Sequence, residues 1–233
     1  MKKTTALIVL LILSMVMASQ AFGATKAATG FTEDFSSGKF TKWTNGHLDN
    51  DKNTPDDKET IGVATIEKKQ LHINNKATGG SFFYIAPKDV KAKNFTISMK
   101  MKSLDFNNSW VGFSIRKDVN DRYNGSNNIL NTFTFNEKGI TYQAYRGYPG
   151  GAGVVQLNKK MSKTAAFTTK IKEWHTYTLV AKDDTITAKI DGKVVGVLKY
   201  DNAKVQNKGF ISINACLADV LIDDVKITID DKK

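Results

Sequence analysis

Lys172–Tyr200, KEWHTYTLVAKDDTITAKIDGKVVGVLKY, reads as three short strands joined by two tight turns. Tyr177, Leu179 and Ala181 alternate with Thr176, Thr178 and Val180, the two-residue period of a strand with one apolar and one wet face. Asp183-Asp184 supplies a turn whose side chains can bond their own backbone. Ile186, Ala188 and Ile190 then alternate with Thr185, Thr187 and Lys189. Asp191-Gly192 is the strongest hairpin signal in the chain, because a type I′ turn needs positive φ at both central residues and Asp-Gly adopts it with little strain. Val194–Leu198 is the return strand.

The same alternation spreads outward from this stretch. It predicts strands at Val63–Ile66, Gln70–Asn74, Ser81–Ala86, Phe95–Lys102, Trp110–Lys117, Ile129–Asn136, Ile140–Arg146, Phe210–Asn214 and Val220–Ile229. Turn signals recur about every ten residues and helical periodicity is absent beyond the N-terminus, which specifies an all-β fold, a two-sheet antiparallel sandwich of jelly-roll type. Asn45–Thr60 reads as the first long loop, and Gly147–Ala166, rich in glycine and holding Pro149, as a loop of functional length.

Lys2-Lys3, an apolar run from Ala6 to Met17 and small residues around Ala21-Phe-Gly23 make a secretory signal peptide over residues 1–23, cleaved near residues 21–24. The run is shorter than the about 20 residues a spanning helix needs, so the expectation is a secreted protein with no membrane insertion, residues 24–233 forming one domain. Removing residues 1–23 takes away Lys2 and Lys3 and no acid; 34 basic and 23 acidic side chains become 32 and 23, a net charge of +9. That charge favours an acidic polymer among possible partners. The lysines are scattered, with no basic run of five, so no specific nucleic-acid partner is expected. Cys216 is the sole cysteine, which excludes an intramolecular disulfide.

Four stretches carry a family resemblance. The order Glu173-Trp-x-x-Tyr-x-Leu, an acidic turn, then Ile186-x-Ala-x-Ile-Asp-Gly-Lys-x-Val195 resembles the C-terminal half of concanavalin A-like jelly rolls, the laminin-G-like and glucanase-like sandwiches of secreted bacterial proteins. Phe31-Thr-Glu-Asp-Phe35 followed by Trp43 resembles their opening strand, and Val220-Leu-Ile-Asp-Asp-Val-Lys-Ile-Thr228 their closing strand. Asn108-Ser-Trp-Val-Gly-Phe-Ser-Ile-Arg116 and Glu173-Trp-His175 are similar to patterns of a bacterial family of sugar-active jelly rolls, with His175 where that family has Asn. The resemblance implies a fold and a carbohydrate ligand. It also implies a structural calcium on Asp223, completed by Glu33 or Asp34 and a carbonyl near Gly46, since calcium takes oxygen ligands.

Catalysis is read by exclusion. The glucanase-type Glu-x-Asp-x-x-Glu strand, whose carboxylates must sit about 5 Å apart for a retaining reaction, finds no match around Glu33, Glu59, Glu67, Glu137 or Glu173. An Asp-based pair drawn from Asp105, Asp118 and Asp121 stays open, with charged turn residues as the simpler account. A polysaccharide lyase on the same fold would use Arg, Gln, His and Tyr. Arg116, Gln143, Tyr145 and Arg146 are of the right types, but the alginate-lyase signatures are missing and His47, His72 and His175 fall on no strand placed beside Arg116. Zinc chemistry lacks a ligand cluster.

What remains is a non-catalytic, lectin-like carbohydrate-binding domain, monomeric, with a polysaccharide or cell-wall glycan as partner. A structural matrix or cell-surface protein is the third class. The binding face follows from strand phase: Trp110, Ser114 and Arg116 oppose Val111, Phe113 and Ile115, while Lys100 shares the wet side of its strand with Ser98 and Lys102. Thr132 and Thr134 turn away from Phe133 and Phe135, and Gln143 and Tyr145 away from Tyr142 and Ala144. If those four strands are neighbours, Trp110 and Tyr145 offer stacking surfaces, Arg116 and Lys100 donors and Gln143 a two-way hydrogen-bonder, with Arg146 and Tyr148 as further candidates.

Overall fold

The structure, a computed structural model, describes residues 30–43, 47–49, 64–74, 82–105, 110–117, 129–136, 139–146, 155–156, 162–163, 170, 172–199 and 208–231. Within them lie seventeen strands: β1 (Gly30–Glu33), β2 (His47–Asp49), β3 (Ala64–Glu67), β4 (Gln70–Asn74), β5 (Phe82–Ile85), β6 (Lys91–Ala92), β7 (Phe95–Asp105), β8 (Trp110–Lys117), β9 (Ile129–Asn136), β10 (Gly139–Arg146), β11 (Val155–Gln156), β12 (Ser162–Lys163), β13 (Trp174–Lys182), β14 (Thr185–Ile190), β15 (Lys193–Lys199), β16 (Gly209–Cys216) and β17 (Asp219–Ile229). No helix among the described residues is long and apolar enough to cross a membrane. The leader read at residues 1–23 lies outside them.

The strands form two antiparallel sheets. The larger runs β12-β15-β14-β13-β7-β17-β4-β3 with β1 also on β17, and the smaller runs β11-β10-β9-β8-β16-β5-β2 with β6 also on β16. The stretch from Lys172 to Tyr200 is β13, β14 and β15, and Asp191 and Gly192 hold φ of 49° and 77°, the positive pair that a type I′ turn requires. Two expectations differ. The loop read at Asn45–Thr60 contains β2, and the loop read at Gly147–Ala166 contains β11 and β12. Each is two or three residues long, too short to show a period in sequence.

The core lies between the sheets and is built by alternation. Phe95, Ile97, Met99 and Met101 of β7, Tyr177, Leu179 and Ala181 of β13, and Val220 and Ile222 of β17 face Val111, Phe113 and Ile115 of β8, Phe133 and Phe135 of β9, and Ile211 and Ile213 of β16, all buried. In β17 the phase would fail after Ile222, because Val225 is an odd number of residues on. A bulge opposite β7 between Asp223 and Lys226, with Asp224 at φ 47°, absorbs the extra residue and turns Val225 and Ile227 back into the core. The same bulge is where the other edge of β17 changes partner, from β4 at Asp219–Ile222 to β1 at Val225–Thr228. Trp43 closes one margin, its ring edge-on to Phe31 with centroids 5.0 Å apart and stacked with Phe35 at 5.9 Å.

On the outer side of β4, His72 is held between two carboxylates. Its Nδ1 lies 3.3 Å from Glu67 Oε1 on β3 and its Nε2 2.8 Å from Asp219 Oδ1 on β17. Burial opposes the charged ring, but the hydrogen bonds and charges of Asp219 and Glu67 outweigh it and raise the His72 pKa above the ordinary imidazole value. A group whose folded pKa is raised contributes its stability below its unfolded pKa and loses it as pH rises through the folded one. The melting temperature of His72→Gln should therefore fall below that of the native chain at pH 5, and the gap should close by pH 9; a gap independent of pH would show that the ring acts by packing alone.

Candidate functional site

Strand alternation leaves Gly112 and Ser114 of β8, Thr132 and Thr134 of β9, and Ser212 and Asn214 of β16 on the outer side of the smaller sheet. In a two-layer sandwich that side ordinarily meets water, yet Ser114, Thr132, Thr134, Ser212 and Asn214 are at most 4% exposed. Their hydrogen bonds are made among themselves. Ser114 Oγ is 2.8 Å from Thr132 Oγ1. In the orientation that gives both ends of the Asn214 amide complementary partners, its oxygen accepts from the Ser114 N–H at 3.0 Å and the Ser114 hydroxyl at 2.5 Å, and its Nδ2 donates to Ser212 Oγ at 3.0 Å. Hydroxyl, hydroxyl, amide and hydroxyl thus form one relay across three strands, each shielded polar atom of it partnered.

Gly112 sets the spacing of this floor. A Cβ there would land on the Phe133 carbonyl of the neighbouring strand, so only glycine allows β8 and β9 to approach as they do. Backbone register extends the floor sideways. One row runs Ser212, Ser114, Thr132, Gln143, and the next runs His47, Tyr84, Asn214, Gly112, Thr134, Thr141. Trp110, half-buried, starts β8 opposite Cys216, whose thiol burial pushes up to about 11, far from a thiolate nucleophile.

Several residues read from sequence as one platform lie apart. Lys100 belongs to β7 in the larger sheet, on the far side of the sandwich, and its Nζ is 2.6 Å from Asp224 Oδ2. The hydrogen bond and charge of Asp224 raise the Lys100 pKa. Strand phase places it correctly on a wet face but not on which sheet. Arg116 leaves the face for a different reason. Between Phe210 and Ser212 of β16 there is one residue, whereas between Ser114 and Lys117 of β8 there are two; Arg116 takes φ 52° at this bulge and is 3% exposed. Its Nε and Nη2 donate to the Lys93 carbonyl at 2.9 and 2.7 Å, and Nη2 to the Asp183 carbonyl at 2.8 Å. A clasp between the sheets replaces the ligand donor expected there. Gln143, Tyr145 and Arg146 lie on β10, Gln143 in register with Thr132, but their side chains and all of Tyr148 are outside the described residues.

The carboxylates read for calcium are each engaged, through one oxygen, by a neighbouring backbone or hydroxyl group. Glu33 Oε1 accepts the Phe35 N–H at 3.0 Å, Asp34 Oδ1 accepts the Ser36 N–H and hydroxyl at 3.0 and 2.7 Å, and Asp223 Oδ1 accepts the Asp224 N–H at 2.8 Å. Burial, then the negative charges of Asp224 and Asp34, raise the Asp223 pKa despite the Asp224 N–H and nearby Lys100. The cations already present are ammonium groups: Lys42 Nζ stands 3.7 Å from Glu33 Oε2 and Lys100 on Asp224. No three acidic, histidine or cysteine side chains among the described residues converge on a point a metal could occupy, and Gly46 lies outside them.

The sequence from 30 to 228 matches the model of the 3-keto-alpha-glucoside-1,2-lyase-like domain. The chain belongs to that family. Its fold is that of concanavalin A-like jelly rolls. A glycoside hydrolase family 16 endo-glucanase from Bacteroides ovatus superposes with a TM-score of 0.61 at 16% identity, over 84% of this chain and 99% of that one. The catalytic domain of a laminarinase from Thermotoga petrophila gives 0.55 at 13% identity, over 88% and 100%. A carbohydrate-binding module, CBM66 from Bacillus subtilis, gives 0.50 at 15%, over 80% and 95%. No curated protein matches the sequence.

Within this 3-keto-alpha-glucoside-1,2-lyase-like frame the smaller sheet's outer floor is made of hydroxyls, an amide and a glycine, and the three described glutamates, Glu33, Glu67 and Glu173, all belong to the larger sheet or its entry. Sequence reading had Ser114, Thr132 and Thr134 on this side and missed Ser212 and Asn214. Their signal was the alternation Ile211-Ser-Ile-Asn214. Arg116→Ala should lower stability by about 3 kcal/mol in urea denaturation, because the Lys93 and Asp183 carbonyls lose a charged donor; an unchanged midpoint would return Arg116 to the list of ligand donors.

Proposed function

We propose that this chain is a secreted, non-catalytic carbohydrate-binding jelly roll whose glycan lies over the outer side of the smaller sheet. The observation that supports it is a polar side that is kept from water. A sheet packed outward on apolar neighbours would carry apolar residues there, and a sheet facing solvent would be exposed. Hydroxyls and amides bonded into one neutral relay from Thr132 to Ser212 give a ligand of the same composition a floor that is fixed beforehand, with the direct contacts falling to groups at its margin. Trp110, at the margin of that floor, offers an apolar ring face to a sugar's C–H face. The name of the Bacillus module, a carbohydrate-binding one, agrees with this reading.

Elimination is the second reading, and the family's description favours it. It needs a base beside a sugar C–H, and the row His47, Tyr84, Asn214 brings an imidazole-bearing and a phenol-bearing residue to adjacent register positions on the smaller sheet.

Affinity electrophoresis of the full chain against soluble neutral and acidic polysaccharides, at low and high salt, separates these readings. Retention that persists in high salt and falls about tenfold in Trp110→Ala, with no product formed, is the expected result. Retention lost with salt alone would mean charge-driven adhesion, an unsaturated ultraviolet-absorbing product would mean elimination, and neither would favour a structural matrix role.

A further inference from the structure

The larger sheet carries a second polar feature on the opposite side of the sandwich, away from the site proposed above. Trp174 is the one large aromatic side chain exposed among the described residues, 37% open to solvent, with Lys102 Nζ 5.3 Å from its ring centroid. It opens β13, and Thr176 follows on the same outward side, about 7 Å along the strand. Thr176 is opposite Lys100 in register and lines a cleft of about 440 Å3 that β1, β7, β13 and β17 share. Such a volume suits a small ligand rather than a buried water.

The cleft holds an unsatisfied group. Glu33 has a side chain only 2% exposed, and while its Oε1 accepts the Phe35 N–H, its Oε2 has no hydrogen-bond donor among the described residues. Lys42 Nζ stops 3.7 Å short of it and donates instead to the Thr32 carbonyl at 3.0 Å. A buried carboxylate oxygen without a donor is costly, and a ligand hydroxyl entering the cleft would remove that cost. The lining also says what kind of ligand. Lys42, Lys100 and Lys226 face Glu33, Asp34 and Asp224, so the formal charges cancel, and the remaining polar groups are the hydroxyls of Thr32, Ser98 and Thr176. Neither a polyanion nor a free cation is selected there; a neutral, hydroxyl-rich molecule is.

We propose that the outer side of the larger sheet is a second glycan subsite, for a neutral oligosaccharide. One pyranose ring stacks on Trp174, and its neighbour sits in the cleft with a hydroxyl donating to Glu33 Oε2 and others bonded to Ser98 and Thr176. Two sites on opposite sides would let one chain bridge two glycan strands.

The test is calorimetric titration of the full chain with maltotetraose and with cellotetraose, for the native protein, Trp174→Ala, Glu33→Gln, Thr32→Phe and Trp110→Ala. Trp174 and Thr32 are exposed, so their variants keep the fold even if Glu33→Gln loosens it. Trp174→Ala should weaken tetraose binding about tenfold, Thr32→Phe should block the cleft, and Glu33→Gln should reproduce the loss, while Trp110→Ala leaves this class of sites intact. No tetraose binding by the native chain overturns the proposal, as does binding indifferent to Trp174→Ala and Thr32→Phe. Calcium instead of tetraose raising the melting temperature in a Glu33-dependent way would overturn it too. Loss in Trp110→Ala alone would support the smaller-sheet site and reject this one.

Discussion

Everything in this sandwich hangs on one non-local pairing, that of β7 with β17. It joins the middle of the chain, Phe95–Asp105, to its end, Asp219–Ile229, and the far edge of β17 then accepts β4 and β1 in turn. Each of those neighbours comes from a different part of the chain, so the larger sheet has no continuous centre until its last strand is in place. Loop-closure entropy must be met before any of these pairs is rewarded, which makes the fold dependent on burial rather than on local propensity. The bulge at Asp224 is the adjustment that allows one strand to serve two partners while keeping Ile222 and Val225 both inward.

Two sheets related only by apolar packing could slide, and a second constraint acts at one end of the sandwich. There Arg116 reaches from β8 to the Lys93 and Asp183 carbonyls, Asn94 Oδ1 accepts the Asp183 N–H at 2.7 Å, and Asp231 Oδ1 accepts the N–H groups of Lys93 and Asn94 at 3.0 and 2.6 Å. A bulge residue of one sheet, the entry to β7, the β13–β14 turn and the chain's C-terminal segment meet in a cluster of directional bonds. Charge-assisted bonds of this kind are stronger than neutral ones and add geometric specificity as well as energy. They fix how far the smaller sheet's edge stands from the larger one.

How much of this could be read in the chain differs by level. Period-two alternation and the Asp191-Gly192 turn located β4, β8, β9 and the β13–β15 unit within a residue or two, because a half-buried strand writes its faces directly into sequence. Sheet membership is not written there. Lys100 and Ser114 look alike, each a polar residue in a strand of buried neighbours, and only the pairing of β7 with β13 and β17, against β8 with β9 and β16, separates them. Arg116 was misread for a second reason, since a two-against-one bulge reverses direction without a marker such as glycine. The floor was half legible: Ser114, Thr132 and Thr134 follow from phase, whereas the partnership of Asn214 with Ser114 joins residues a hundred positions apart.

The two outer sides are built on different physical terms, and that difference bears on function more than the shared fold does. Across the larger sheet, Thr96, Ser98, Thr176 and Thr178 are only partly covered and lysine and aspartate pairs stand among them, the ordinary composition of a wetted sheet, with the exposed indole of Trp174 and the unsatisfied carboxylate of Glu33 as exceptions among the described residues. At the five described polar floor positions of the smaller sheet, Ser114, Thr132, Thr134, Ser212 and Asn214, the groups are hydroxyl and amide, and water is largely excluded from them. Removing charge from a shielded place avoids the desolvation that an unpaired carboxylate or ammonium would suffer there, and a neutral relay holds its geometry with no counter-ion. Acid–base turnover of a glycosidic bond needs groups that change charge, and these five side chains supply none. Titratable groups for chemistry on this scaffold would come from other positions, such as Tyr84 of β5 and His47 of β2, which register sets in one row with Asn214.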